Sequence, residues 1–81
     1  MAILYTRQSN LTPEEALQEA IHFFGPSGIG LQVKSYEEHD VRLEGQRGHV
    51  FVHITRQGVG CDIEIETHEW ERDVQRFLEG I

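Results

Sequence analysis

Two adjacent segments of alternating apolar and polar residues constrain the fold of this chain more than any other feature. Between Arg47 and Thr67 the sequence reads RGHVFVHITRQGVGCDIEIET. A period of two is typical of strands with one buried face, and the intervening Gln57-Gly58 predicts a tight reversal. The apolar set, predicted to face the core, is Val50, Val52, Ile54, Cys61, Ile63 and Ile65. The opposite set, predicted to form an outer face, is His49, Phe51, His53, Asp62, Glu64 and Glu66.

Helical segments on either side of this hairpin can cover its apolar face. Thr12-Pro13-Glu14-Glu15 predicts a capped helix start, and the helix is expected to run to residue 24. A second helix is expected over 68–79, with Thr67 as its N-cap. Further strands are expected over 2–8, 29–36 and 40–45, the second of them with Val33 inward and Tyr36 outward.

This order of elements predicts one α+β domain over residues 1–81, written β-α-β-β-β-β-α. We expect an antiparallel sheet, a four-stranded meander plus the N-terminal strand, with two helices packed on one face. The order resembles the TATA-binding-protein-like, or helix-grip, topology. The DNA-binding role that this resemblance implies requires a basic outer face. Here that face carries acidic residues instead, so the DNA role is rejected. These residues are Asp40, Glu44, Asp62, Glu64 and Glu66.

Charge and cysteine content exclude several classes of partner and site. The formal net charge is −7 at pH 7, which argues against nucleic acids and anionic membranes as partners. A single cysteine cannot form an internal disulfide, and a reducing compartment is the simplest expectation. We see neither a signal-peptide pattern nor an apolar run long enough to cross a bilayer, so we expect a cytoplasmic protein.

The expected turns give a register in which each outer histidine lies between two carboxylates. His53 is expected opposite Asp40 and Asp62, and His49 opposite Glu44 and Glu66. One interpretation is a divalent metal site formed by Asp40, His53 and Asp62, or by the second set around His49. The other is ion pairing across the surface of a solvated sheet, which is individually weak.

Aromatic residues on this face suggest a second use for it. Phe51 and Tyr36 are both expected there and, with Arg42, His49 and His53, form the candidate binding residues. Ordinary cross-strand packing is the alternative. No catalytic residue and no cofactor is predicted. Cys61 is expected on the side of the sheet away from His53.

The sequence therefore favours a non-enzymatic binding or protein-interaction module that uses the exposed sheet face or an edge strand. The expected partner is another protein, including a second copy of this chain. The alternative hypothesis is a domain that binds a small molecule or a divalent metal at the cluster around His53 or His49.

Overall fold

The computed structural model describes residues 2–81, and its elements follow the predicted order. They are β1 Ile3–Ser9, α1 Pro13–Phe24, β2 Gln32–Tyr36, β3 Asp40–Glu44, β4 His49–Gln57, β5 Gly60–His68 and α2 Glu71–Glu79. All five strands join one antiparallel sheet in the order β1-β5-β4-β3-β2. The predicted α+β class is confirmed, and the N-terminal strand lies beside the last strand.

Both helices pack on the face formed by the apolar set. Thr12 Oγ1 accepts a hydrogen bond from the Glu15 N–H, and a Glu15 carboxylate oxygen accepts one from the Thr12 N–H, so the predicted capping box is present. The rings of Phe23, Phe24 and Phe77 lie 5.0–5.4 Å apart and join α1 to α2. The six apolar residues predicted to face the core are all buried. No helix within residues 2–81 is long and apolar enough to cross a membrane.

The second helix begins later than predicted, and Thr67 does not cap it. Strand β5 continues to His68, and α2 starts at Glu71 after Trp70. Thr67 is fully buried, and its hydroxyl donates a hydrogen bond of 2.9 Å to the His49 carbonyl oxygen. Pairing with both β1 and β4 extends β5 and outweighs the capping tendency of Thr67.

The turn between β4 and β5 is displaced by one residue from its predicted place. Gln57 pairs with Gly60, so the turn residues are Gly58 and Val59. Gly58 adopts a φ of 58°, a positive value that suits the first central position of a hairpin turn. The displacement changes the partner of every β4 residue by two positions, and each side chain keeps its predicted face because the strand period is also two.

Strand β2 contains an irregularity that the alternation did not predict. Val33 pairs with Leu43 and Ser35 pairs with Arg42, so Lys34 is an extra residue in the strand. The side chains after Lys34 therefore exchange faces. Tyr36 pairs with the buried Val41 and lies on the helical side of the sheet, so its predicted place on the outer face is wrong.

Candidate functional site

The outer face is the side of the sheet that the helices leave uncovered, and we define it by its cross-strand rows. One row runs Leu4, Glu66, Phe51, Arg42 across four strands. The next row runs Thr6, Glu64, His53, Asp40. Beyond it Gln8, Asp62 and Thr55 form a third row, and on the other side His68, His49 and Glu44 form a fourth.

Phe51 is the centre of a stack of planar side chains on this face. The Arg42 guanidinium carbon lies 4.5 Å from the centroid of the Phe51 ring, within cation–π range. The His49 ring stacks on Phe51 at 4.1 Å between centroids, with an interplanar angle of 25°. Three of the five predicted binding residues thus form one contiguous group, which we call the Phe51 stack (Arg42, His49, Phe51).

His53 lies in the neighbouring row, opposite an acidic residue on each adjacent strand. Its Nδ1 lies 2.5 Å from Asp40 Oδ1, and both side chains are about half exposed. Asp40 is opposite His53 as predicted, but Glu64 rather than Asp62 is opposite on the other side. The predicted position of Asp62 opposite His53 is therefore wrong, while its predicted place on the outer face is correct.

The metal set predicted from Asp40, His53 and Asp62 is not assembled. Asp62 pairs with Thr55, one row away from His53, because the β4–β5 turn is displaced. Within residues 2–81 no three His, Cys, Asp or Glu side chains lie close enough together to hold a metal ion.

His49 reaches its predicted carboxylate along a diagonal. Its strand partners are Glu44 on β3 and His68 on β5. Its Nε2 nevertheless lies 3.2 Å from Glu66 Oε2, and its ring stacks on that of His68 at 6.3 Å. This hydrogen bond holds the imidazole beside Phe51 and so orders one side of the Phe51 stack.

Sequence reasoning missed Leu4 as part of this face. The first strand has apolar residues on both of its sides, so alternation alone did not show which side faces outward. The pairing with β5 decides this and places Leu4 beside Glu66 on the outer face. Leu4 is 61% exposed and borders a depression of ≈ 250 Å³ above Phe51. The depression is also lined by Asp40, Arg42, His53, Glu64 and Glu66.

Cys61 lies on the core side of the sheet, as predicted, and is nearly inaccessible to solvent. Burial raises the pKa of its thiol, and the neighbouring Asp62 carboxylate raises the pKa further, while Arg56 lowers it. A thiol in this setting is a poor nucleophile at neutral pH because the thiolate is the reactive form.

Comparison with known proteins supports the fold and does not identify a function. No protein-family model matches the chain, and no curated protein matches it in sequence. Among solved structures, the X-ray structure of the protein SSP2350 from Staphylococcus saprophyticus, a structural genomics target, is similar with a TM-score of 0.62. The two are 12% identical, and the match covers 96% of this chain and 78% of that one. At this identity the likeness shows a shared fold alone.

Proposed function

We propose that this protein is a non-enzymatic interaction module whose outer face binds a protein segment rich in Lys and Arg that also carries an apolar side chain. The observation that carries the proposal is the Phe51 stack, which lies on an uncovered sheet face and is surrounded by carboxylates. A centre of aromatic and Arg side chains with a polar rim is the usual composition of a protein interface.

The apolar part of the proposed site is the depression above Phe51. Leu4 and Phe51 lie in the same row with Glu66 between them, so an apolar side chain of a partner can contact both. Because Leu4 is largely exposed, covering it removes apolar surface from water, which favours binding. The small volume of the depression suits one side chain of a peptide better than a whole cofactor.

The charge of the face selects a cationic partner. Asp40, Glu44, Asp62, Glu64 and Glu66 lie on it, and Arg42 is the one Lys or Arg in the four cross-strand rows that define it. Complementary charge raises association rates and excludes partners of the same sign. Two copies meeting through this face would place like charges together, so the face itself is not suited to self-association.

The proposal is tested by titrating the protein with short synthetic peptides while recording its amide NMR spectrum. The probe has Lys and Arg on both sides of one Leu, and the matched control peptide has Glu in place of every Lys and Arg. We expect the basic peptide to shift amide signals of β3, β4 and β5. A Glu64→Gln/Glu66→Gln variant should weaken this binding about tenfold, since two exposed charged contacts of about 0.7 kcal/mol each amount to about 1.4 kcal/mol.

A second pair of substitutions controls for net charge. Glu37→Gln/Glu38→Gln removes two carboxylates from the loop between β2 and β3, and should leave the affinity within about twofold because those residues lie outside the outer face. The proposal would be overturned if both double variants lost the same affinity for the basic peptide. It would also be overturned if the basic peptide did not bind, or if the acidic peptide bound equally well.

A further inference from the structure

Strand β1 is an unpaired margin of the sheet without the features that usually protect such a margin. Its residues Ile3–Ser9 pair with β5 without a break in register, and their other side has no strand partner in the sheet. The strand has no proline, and Arg7 is its one charged residue. Ile3 is 43% exposed. A regular, exposed margin of this kind is a template for another strand.

The opposite margin differs in length and in regularity. Strand β2 is shorter, with five residues, and its pairing is interrupted by the extra residue Lys34. Bulges and lysines are devices by which natural sheets prevent pairing at an edge. The contrast between the two margins indicates that β1 alone is suited to accept a further strand.

The distribution of charge favours a second copy of this chain as the source of that strand. The chain carries a net charge of −7, yet no Asp or Glu precedes Glu14. Two copies therefore meet with the least repulsion at β1, where the exposed charge is the positive Arg7. A basic partner, by contrast, is attracted to the acidic outer face.

We infer that β1 pairs with β1 of a second copy in antiparallel orientation about a two-fold axis at Thr6. This register pairs all seven residues of the strand with those of its partner. Arg7 lies opposite the second copy's Tyr5, a favourable cation–π combination, and no two like charges are directly opposed. Leu4 lies opposite the second copy's Gln8, and Ile3 lies opposite the second copy's Ser9.

The resulting assembly is closed. The two five-stranded sheets form one continuous sheet with all helices on one side. Each of its two margins is a β2 strand, the protected margin of one copy. An isologous contact of this kind ends at two copies. The outer face of each copy remains open, so this inference is independent of the proposed function.

Sedimentation equilibrium over a range of concentrations tests the inference with a Thr6→Lys variant. Within one chain the new ammonium group lies opposite Glu64, so we expect the fold to be retained. Across the two-fold axis the two ammonium groups face each other and oppose pairing. The matched control is Thr55→Lys, which adds the same charge opposite Asp62 on an interior strand.

We expect a reversible dimer in the unmodified protein and in Thr55→Lys, and at least a tenfold weaker dimer in Thr6→Lys. An unmodified protein that stays monomeric up to millimolar concentration, or a Thr6→Lys variant that dimerises as well as the control, would overturn the inference. Circular dichroism of each variant confirms that the fold is intact.

The register is tested separately by disulfide formation. Thr6→Cys places two thiols on directly opposed residues across the axis, at a spacing that a disulfide can span. Cys61 is buried and does not compete. We expect a cross-linked dimer under mild oxidation for Thr6→Cys and none for Thr55→Cys. A Thr6→Cys dimer that fails to cross-link would overturn the register.

Discussion

The Tyr36 hydroxyl accepts a hydrogen bond of 2.7 Å from Gln18 Nε2, which joins the end of β2 to the middle of α1. The bond lies on the helical side of the sheet, because the extra residue Lys34 reverses the alternation of β2 before Tyr36. Tyr36 is still 52% exposed, but its ring is separated from the Phe51 stack by the sheet itself. The two aromatic residues therefore cannot belong to one binding surface.

Substitution of Phe51 and of Tyr36 should consequently have different effects on peptide binding. Phe51→Val places another good strand-forming residue in β4 but removes the ring that Arg42 and His49 contact, so we expect about tenfold weaker binding of the basic peptide. Tyr36→Val should leave the affinity unchanged within about twofold, since a residue outside an interface contributes little. Calorimetric titration measures both, and equal effects would contradict the assignment of faces.

A double-mutant cycle can test the observed register of β4 against β3 and β5. We expect His53→Ala and Asp40→Ala to be coupled by about 0.2–1 kcal/mol in the free energy of unfolding, the usual range for exposed pairs. His53→Ala and Asp62→Ala should show no coupling, because Asp62 faces Thr55. Urea denaturation provides the energies, and coupling of His53 to Asp62 but not to Asp40 would refute this register.

Loss of the capping box should destabilise the protein measurably. Thr12→Ala removes the acceptor for the Glu15 N–H, which leaves that donor without its partner at the helix start. We expect about 1 kcal/mol lower free energy of unfolding, the typical cost of losing an N-cap. Glu19→Ala, on the exposed side of the same helix, serves as the control and should change stability by less than about 0.5 kcal/mol. A Thr12→Ala variant no less stable than Glu19→Ala would exclude a stabilising role for the cap.

Alkaline pH should weaken the fold partly through Cys61. Burial raises the pKa of this thiol above its usual value of 9.0, so above that pH the unfolded chain loses the thiol proton while the native chain keeps it. The contribution to stability is fully present below pH 9.0 and is lost as the pH rises towards the higher native pKa. We expect the free energy of unfolding to fall more steeply above pH 9 than in Cys61→Ala.

The thiol itself provides a second check of the same prediction. Native protein should react slowly with a thiol reagent at neutral pH, and urea should accelerate the reaction by exposing and ionising the thiol. Identical pH profiles for the unmodified protein and Cys61→Ala would argue against a raised pKa.

The parts of the fold that the sequence predicted correctly are those set by local chemistry. Thr12, Pro13 and Glu15 act within one helical turn, so the start of α1 can be read from four residues. The β3–β4 register also follows from a short turn, closed by a hydrogen bond from the Gly45 N–H to the Gly48 carbonyl oxygen at 2.9 Å. That register correctly predicted that Arg42 lies opposite Phe51 and that Asp40 lies opposite His53.

The parts that failed depend on interactions between distant segments or on backbone detail. The choice between Gln57-Gly58 and Gly58-Val59 as the turn rests on which residue takes the positive φ, and it decided the partner of His53. The end of β5 depends on its two neighbouring strands, which hold Thr67 in the sheet. The extra residue in β2 has no glycine to signal it, and it moved Tyr36 to the other side.

In the β1-to-β1 pairing that we infer, Lys34 also limits the number of copies of this chain that can join side by side. A chain from which Lys34 is deleted would retain the pairs Val33 with Leu43 and Ser35 with Arg42. Its β2 would then become a regular margin of the sheet, as β1 is. When both margins of a sheet can pair, assembly does not end at two copies, and the chains grow into filaments. On the inferred pairing, one extra residue in β2 thus separates a finite particle from a polymer.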